Sequence, residues 1–116
     1  MKALSITTTE IVSLIEIPET DSLSQMQAAV GGYIEVLGLN AGVSMVLDEE
    51  GKLKGRPLNN IAVRLTQHYA VGLRPGDMIV GDVLLIGNDD EGEERDVPTD
   101  VVDLLERLGY PLTTKE

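Results

Sequence analysis

The stretch Val30-Gly31-Gly32-Tyr33-Ile34-Glu35-Val36 decides how the chain is read, because the apolar pattern changes period across it. Upstream, Leu23, Met26 and Val30 fall at i, i+3 and i+7, one face of a helix of about two turns. Downstream, Tyr33 to Leu37 has the composition of a strand. A glycine pair suits the junction. Gly31 can close the helix in the left-handed conformation, which is costly for a residue with a Cβ, and Gly32 lets the backbone turn into the strand. Ser22-Leu23-Ser24-Gln25 has the spacing of a capping box at the helix start, hydroxyl to backbone and glutamine back to the cap.

Toward the N-terminus, Lys2 to Ile6 and Ile11 to Ile17 are aliphatic runs joined by Thr7-Thr8-Thr9-Glu10, a hairpin-length connection. In the second run Ile11, Ile15 and Ile17 take one side and Val12 and Leu14 the other, which predicts an interior strand or one whose outer face meets a partner. Pro18 ends it. Toward the C-terminus, Gly38, Asn40 and Gly42 make a loop before the strand Val43 to Asp48, and Glu49-Glu50-Gly51 turns into a short partner strand around Lys52-Leu53-Lys54. Gly55-Arg56-Pro57 opens a second helix, with Leu58, Ile61, Ala62, Leu65 and Tyr69 on one face, ending by Gly72.

Arg74-Pro75-Gly76-Asp77 is a turn signal, and Met78 to Ile86, apolar on both faces except at Asp82, reads as a central strand. Residues 88–96 carry mostly like charges and read as a mobile solvated loop. Pro98 and Asp100 suit the first turn of a last helix whose stripe is Val101, Leu104, Leu105 and Leu108, closed by Gly109. The expectation is one α+β domain over residues 1–110, a mainly antiparallel sheet of about five to six strands with about three helices, and a frayed tail over 111–116.

Composition narrows the function classes. The 116 residues are 42% hydrophobic but only 3% aromatic, so Val, Ile, Leu, Met and Ala must fill the core. Nine basic against twenty acidic side chains give a formal charge of -11, which argues against direct nucleic-acid or anionic-membrane binding. There is no cysteine, hence no disulfide, thiolate metal site or cysteine nucleophile. No apolar run has the length of a signal peptide or a membrane span, which leads to the expectation of a cytoplasmic protein, in the host cell's cytoplasm if phage-encoded.

No motif assigns an activity. His68 is the single histidine and no serine lies in a G-x-S-x-G elbow, so a helix-end charge is the plainer reading of His68. Neither acidic loop fits the EF-hand spacing: placing Gly92 sixth puts Gly87 first and Pro98 twelfth, and placing Gly51 sixth puts Val46 and Pro57 there. The twelve glycines form no phosphate-cradling motif. No catalytic residue, metal ligand or cofactor site is therefore named. What remains is a set of polar or stacking residues beside glycines at element ends: Gly32, Tyr33, Asn40, Arg56, Asn59, Asn60, Arg74 and Asp82. Together they would suit a ligand pocket at an interface, with Tyr33 stacking, the arginines pairing an anion and the asparagines fixing orientation.

Several blocks in order carry a resemblance: Val30-Gly31-Gly32-Tyr33-Ile34-Glu35; Asp48-Glu49-Glu50-Gly51-Lys52-Leu53 with Pro57-Leu58-Asn59; Gly76-Asp77 through Ile79-Val80-Gly81 to Leu84-Leu85-Ile86-Gly87; and Asp96-Val97-Pro98. From Met1 to about Leu108 the chain resembles an uncharacterised family of small proteins with a domain of unknown function, common in bacteriophages, plasmids and their bacterial carriers. The resemblance implies a mobile-element origin and no particular activity. The functional expectation is a non-catalytic accessory protein acting by occupancy of a host protein or of a small defence-signalling nucleotide. The alternatives are an acidic mimic of nucleic acid that inhibits a DNA-binding host protein, and a small hydrolase using Asp82 and His68. Strands apolar on both faces also predict a homo-oligomer, because three short helices would leave apolar surface uncovered.

Overall fold

The computed structural model describes residues 1–69 and 78–113. Six strands form one antiparallel sheet: β1 (Lys2–Ile6), β2 (Val12–Glu16), β3 (Ile34–Gly38), β4 (Val43–Asp48), β5 (Val83–Asn88) and β6 (Glu94–Arg95). Their order is β2-β1-β5-β4-β3, and β6 pairs with β5 alongside. Three helices complete the α+β domain: α1 (Ser22–Val30), α2 (Asn60–His68) and α3 (Thr99–Arg107).

The period-two alternation sends the side chains of the central strands into two separate cores. Leu4, Ile6, Val43, Met45, Val83 and Leu85 meet Ile61, Ala62 and Leu65 of α2 and Val101, Leu104 and Leu105 of α3 on one face. Ala3, Val46, Leu84 and Ile86 meet Met26 and Val30 of α1 on the other. Every one of these residues is at most 5% exposed. The chain's own helices thus roof both faces of β1, β4 and β5, and the uncovered apolar surface that predicted an oligomer is not found there. It is found on the edge strands, where Leu14 of β2 and Val36 of β3 are 44% and 55% exposed.

Several expectations need correction. β2 is an edge strand, not an interior one: its register with β1 is Lys2↔Glu16 through Ile6↔Val12, and no described strand lies beyond it. Residues 49–55 form consecutive turns with no strand at Lys52 to Lys54, since the Lys54 and Gly55 amides bond back to the Glu50 and Lys52 carbonyls. The strand expected over Met78 to Ile86 begins only at Val83, because Asn59 and Gly81 hydrogen-bond Ile79 and Pro57 and divert the segment toward the start of α2. Asp21, not Ser22, is the N-cap of α1 and makes no side-chain cap bond, so the capping box does not form, and Leu23 is 54% exposed. Gly31 does take the left-handed cap at φ 87°, donating to the Gln27 carbonyl.

The acidic segment expected as a mobile solvated loop over 88–96 pairs its ends as a hairpin. The Asp89 carboxylate accepts from the Glu91 and Glu93 amides and pairs with Arg95 at 2.8 Å, folding Glu94–Arg95 back onto Gly87 and Asn88. Those local acceptor bonds supply what the missing apolar residues cannot. At the C-terminal end, Tyr110 and Leu112 pack on the larger core, and the Thr113 amide bonds the Val12 carbonyl, so the stretch expected to fray is anchored as far as Thr113. The second helix ends at His68 with Tyr69 as its C-cap, before Gly72 as expected, while the Arg74 to Asp77 turn and residues 114–116 lie outside the described residues. Among the described residues no helix is long and apolar enough to cross a membrane.

Candidate binding site

The glycine pair lies against a buried ionic cluster. Asp48, the last residue of β4, has its side chain only 1% exposed and accepts three hydrogen bonds of 2.9 Å: from Lys54 Nζ and Arg56 Nε on one oxygen and the Glu50 amide on the other. Lys54 Nζ and Arg56 Nη2 also donate to the Gly31 carbonyl at 3.1 and 3.0 Å, placing two cations at the negative end of α1. The turns over 49–55 exist to bring these cations back to the strand end that supplies the carboxylate.

Bare glycines are required for this approach. A Cβ on Gly32 would stand 2.5 Å from Lys54 Nζ and 2.7 Å from Asp48 Oδ1, and one on Gly31 would stand 2.6 Å from Arg56 Nη2. Gly81 admits the stem of Arg56, where a Cβ would approach Cδ to 2.8 Å. Burial pushes the Asp48 carboxyl up, but the bonds from Lys54, the Glu50 amide and Arg56 together outweigh it and hold the group below its ordinary value.

Beside this cluster a groove of about 190 Å³ runs along β3 and β4, with Leu37, Leu47, Ile79 and Val80 as apolar lining and Glu35, Asp48, Glu49 and Lys52 as polar lining. A wider hollow of about 760 Å³ lies where the start of α1 faces the β5-β6 hairpin, bordered by Glu19, Glu93, Glu94, Arg95 and Asp96. Among the described residues no three acidic or histidine side chains converge as metal ligands.

The structure disperses the residues named from sequence. Gly32 and Arg56 meet in the Asp48 cluster, and Tyr33, 69% exposed, follows them while its carbonyl accepts from the Glu49 amide. Asn40 lies at the other end of β3, donating to the Tyr69 carbonyl. Asn59 is fully buried: its oxygen caps α2 through the Ala62 amide, and its nitrogen donates to the Ile6 and Gly81 carbonyls. That side chain is a tie between elements. Asn60 is exposed on the first turn of α2, and Asp82 accepts from the Thr8 amide beside the β1-β2 turn. Arg74 lies outside the described residues.

His68 closes α2 with its ring edge-on to Tyr69, and Asp82 adjoins Gly81, which the α2 cap Asn59 holds at the opposite end of that helix. The two thus belong to opposite ends of a helix roughly 12 Å long. Sequence reading missed Asp48, Lys54 and the groove residues Glu35, Leu47, Lys52 and Ile79. The available signal was Asp48 itself, a carboxylate closing a strand buried on both faces, followed within eight residues by three cations, of which Lys54 and Arg56 reach it.

Residues 1–109 match the family described as a domain of unknown function, DUF3846. The chain belongs to that family. The match spans every element from β1 to α3 and ends at the glycine that follows α3. Comparison with curated proteins and with solved structures finds no match.

Proposed function

We propose that this DUF3846 protein acts by occupancy: a non-catalytic accessory protein of a mobile genetic element that binds a component of its host cell and holds it unchanged. The observation that carries this reading is the anatomy of the groove along β3 and β4, an apolar floor of Leu37, Leu47 and Ile79 between charged rims at Glu35, Glu49 and Lys52. Apolar floors with a few placed polar groups suit binding, and one of the three carboxylates that line the groove, Asp48, is committed to structural bonds. At about 190 Å³ the groove is smaller than the roughly 300 Å³ at which small-molecule pockets begin, so it suits side chains of a polypeptide better than a whole nucleotide.

A second reading draws on the wider hollow, where Glu19, Glu93, Glu94 and Asp96 together with a net charge of -11 favour a basic protein surface. The test compares what the wild-type protein retains in its native host with what Glu35→Lys and Glu94→Lys retain. Loss of a component with Glu35→Lys alone supports the groove, and loss with Glu94→Lys alone, released by salt, supports the acidic surface. Turnover of a substrate by a protein that retains nothing would reject both. Heat on titrating cyclic or linear nucleotides into micromolar protein would instead favour the nucleotide form of the occupancy reading.

A further inference from the structure

Among the described residues no strand lies beyond β3, and the geometry of that edge selects an occupant. In the β3-β4 ladder the Glu49 amide donates to the Tyr33 carbonyl and the Leu39 amide to the Val43 carbonyl. With the register Ile34↔Asp48 through Gly38↔Ser44, these bonds fix the phase of the ladder. The odd residues from Tyr33 to Leu39 turn their N–H and C=O groups toward β4, while Ile34, Val36 and Gly38 turn theirs outward. None of those outward groups bonds a described residue. At the other end of the sheet the same phase argument turns Val12, Leu14 and Glu16 outward from β2, and there the Thr113 amide occupies the Val12 carbonyl.

A row of unpaired donors and acceptors is a template for another strand, and proteins that avoid this outcome place a proline, a bulge or lysines on the edge. β3 has none of these, and Val36, at its centre, is 55% exposed. We propose that two copies of this chain pair antiparallel through β3, about a two-fold axis at Val36. Ile34 then faces the partner's Gly38, Val36 faces the partner's Val36, and Glu35 faces the partner's Leu37. All outward groups from Ile34 to Gly38 find partners, two bonds at each of three narrow pairs.

Of the neighbouring two-fold registers, the one centred on Glu35 sets two carboxylates directly opposite each other and leaves Gly38 unpaired, and the one centred on Leu37 sets Ile34 opposite Asn40, beyond the end of the strand, so both are disfavoured. Gly38 suits its place opposite Ile34, because nothing stands within 4 Å of the position its Cβ would take. The pairing also bears on the groove: Glu35 and Leu37 line it, and the partner's Leu37 and Glu35 arrive beside them. Two grooves then meet at one seam. The dimer is independent of the occupancy reading, since it forms without a ligand and is read by mass.

The experiment measures mass by light scattering or sedimentation, in the absence of ligand. The expected result is a species of twice 12.5 kDa at high protein concentration, its fraction rising with added salt because two chains of charge -11 repel. Val36→Pro removes an outward N–H that β4 does not use, and Val36→Glu sets like charges at the axis, so each should give the monomer mass with unchanged circular dichroism. A wild-type monomer at every concentration, or a dimer that survives in the folded Val36→Glu protein, overturns the proposal.

The cysteine-free sequence allows the register to be read directly. Val36→Cys places two thiols across a narrow pair about 5.5 Å apart at Cα, within disulfide range, and should cross-link on oxidation. Ile34→Cys offsets them by four residues, about 13 Å, and should not. Cross-linking at Ile34→Cys or Glu35→Cys but not at Val36→Cys overturns the register.

Discussion

Replacing Asp48 by asparagine keeps the size of the side chain, removes its charge and sets amide hydrogens where only acceptors fit. The carboxylate accepts from Lys54, Arg56 and the Glu50 amide at 2.9 Å each, with its own side chain 1% exposed. Removing one member of a buried ion pair costs about 3–5 kcal/mol when the remaining charge stays buried. Here Lys54 and Arg56 are 36% and 32% exposed, so water can recover part of their hydration, and the lower end, about 3 kcal/mol, is expected. For a domain of this size that lowers Tm by roughly 10–15 °C. Lys54→Ala leaves Asp48 with Arg56 and the Glu50 amide, and should cost only about 1 kcal/mol.

The pH dependence has a definite sign. The folded carboxyl lies below its ordinary value of 3.8, so its contribution is complete above that pH and is lost as pH falls through the folded value. Urea unfolding at neutral pH and near pH 3 should therefore show the gap between wild type and Asp48→Asn narrowing in acid. An Asp48→Asn protein within about 0.5 kcal/mol of wild type at neutral pH, or one no less stable than Lys54→Ala, would refute the account of the cluster.

Asn59→Ala should cost about 3 kcal/mol by denaturant titration, since it removes the α2 cap and leaves the Ile6 and Gly81 carbonyls without their donor. Gly32→Ala should cost about 1–2 kcal/mol, because Lys54 can withdraw its flexible tip but Asp48 cannot move aside, and Lys54→Ala should recover part of that loss in a double-mutant cycle. Gly87→Ala should be the severest of the glycine changes, near 3 kcal/mol, with a Cβ 2.2 Å from the Asp96 carbonyl oxygen and backbone on both sides; hydrogen exchange should show the β5-β6 pair opening.

The fold was more legible than the site. Val43 to Asp48 and the last helix were visible because each keeps one period between clear boundaries, and the two observed bounds of β4 are the expected ones. Lys52 to Lys54 misled because a glycine turn with flanking lysines resembles a hairpin tip, whereas these lysines sit on turns and Lys54 folds back to a carboxylate. Asn59 misled in the opposite way. A polar residue at an element end looked available for a ligand, yet its three bonds join β1, the segment before β5 and α2.

By itself the sequence determined the α+β class, the left-handed closure at Gly31 and the filling of the core by aliphatic residues, because periodicity, capping and composition act between near neighbours. Only the tertiary structure decided that β2 stands at an edge, that α1 covers one face of the sheet while α2 and α3 cover the other, and that Asp48 is buried against Lys54 and Arg56 at the end of α1. Those outcomes depend on which elements are brought together across long spans of chain, and no local pattern records where a distant helix will lie or which carboxylate it will meet.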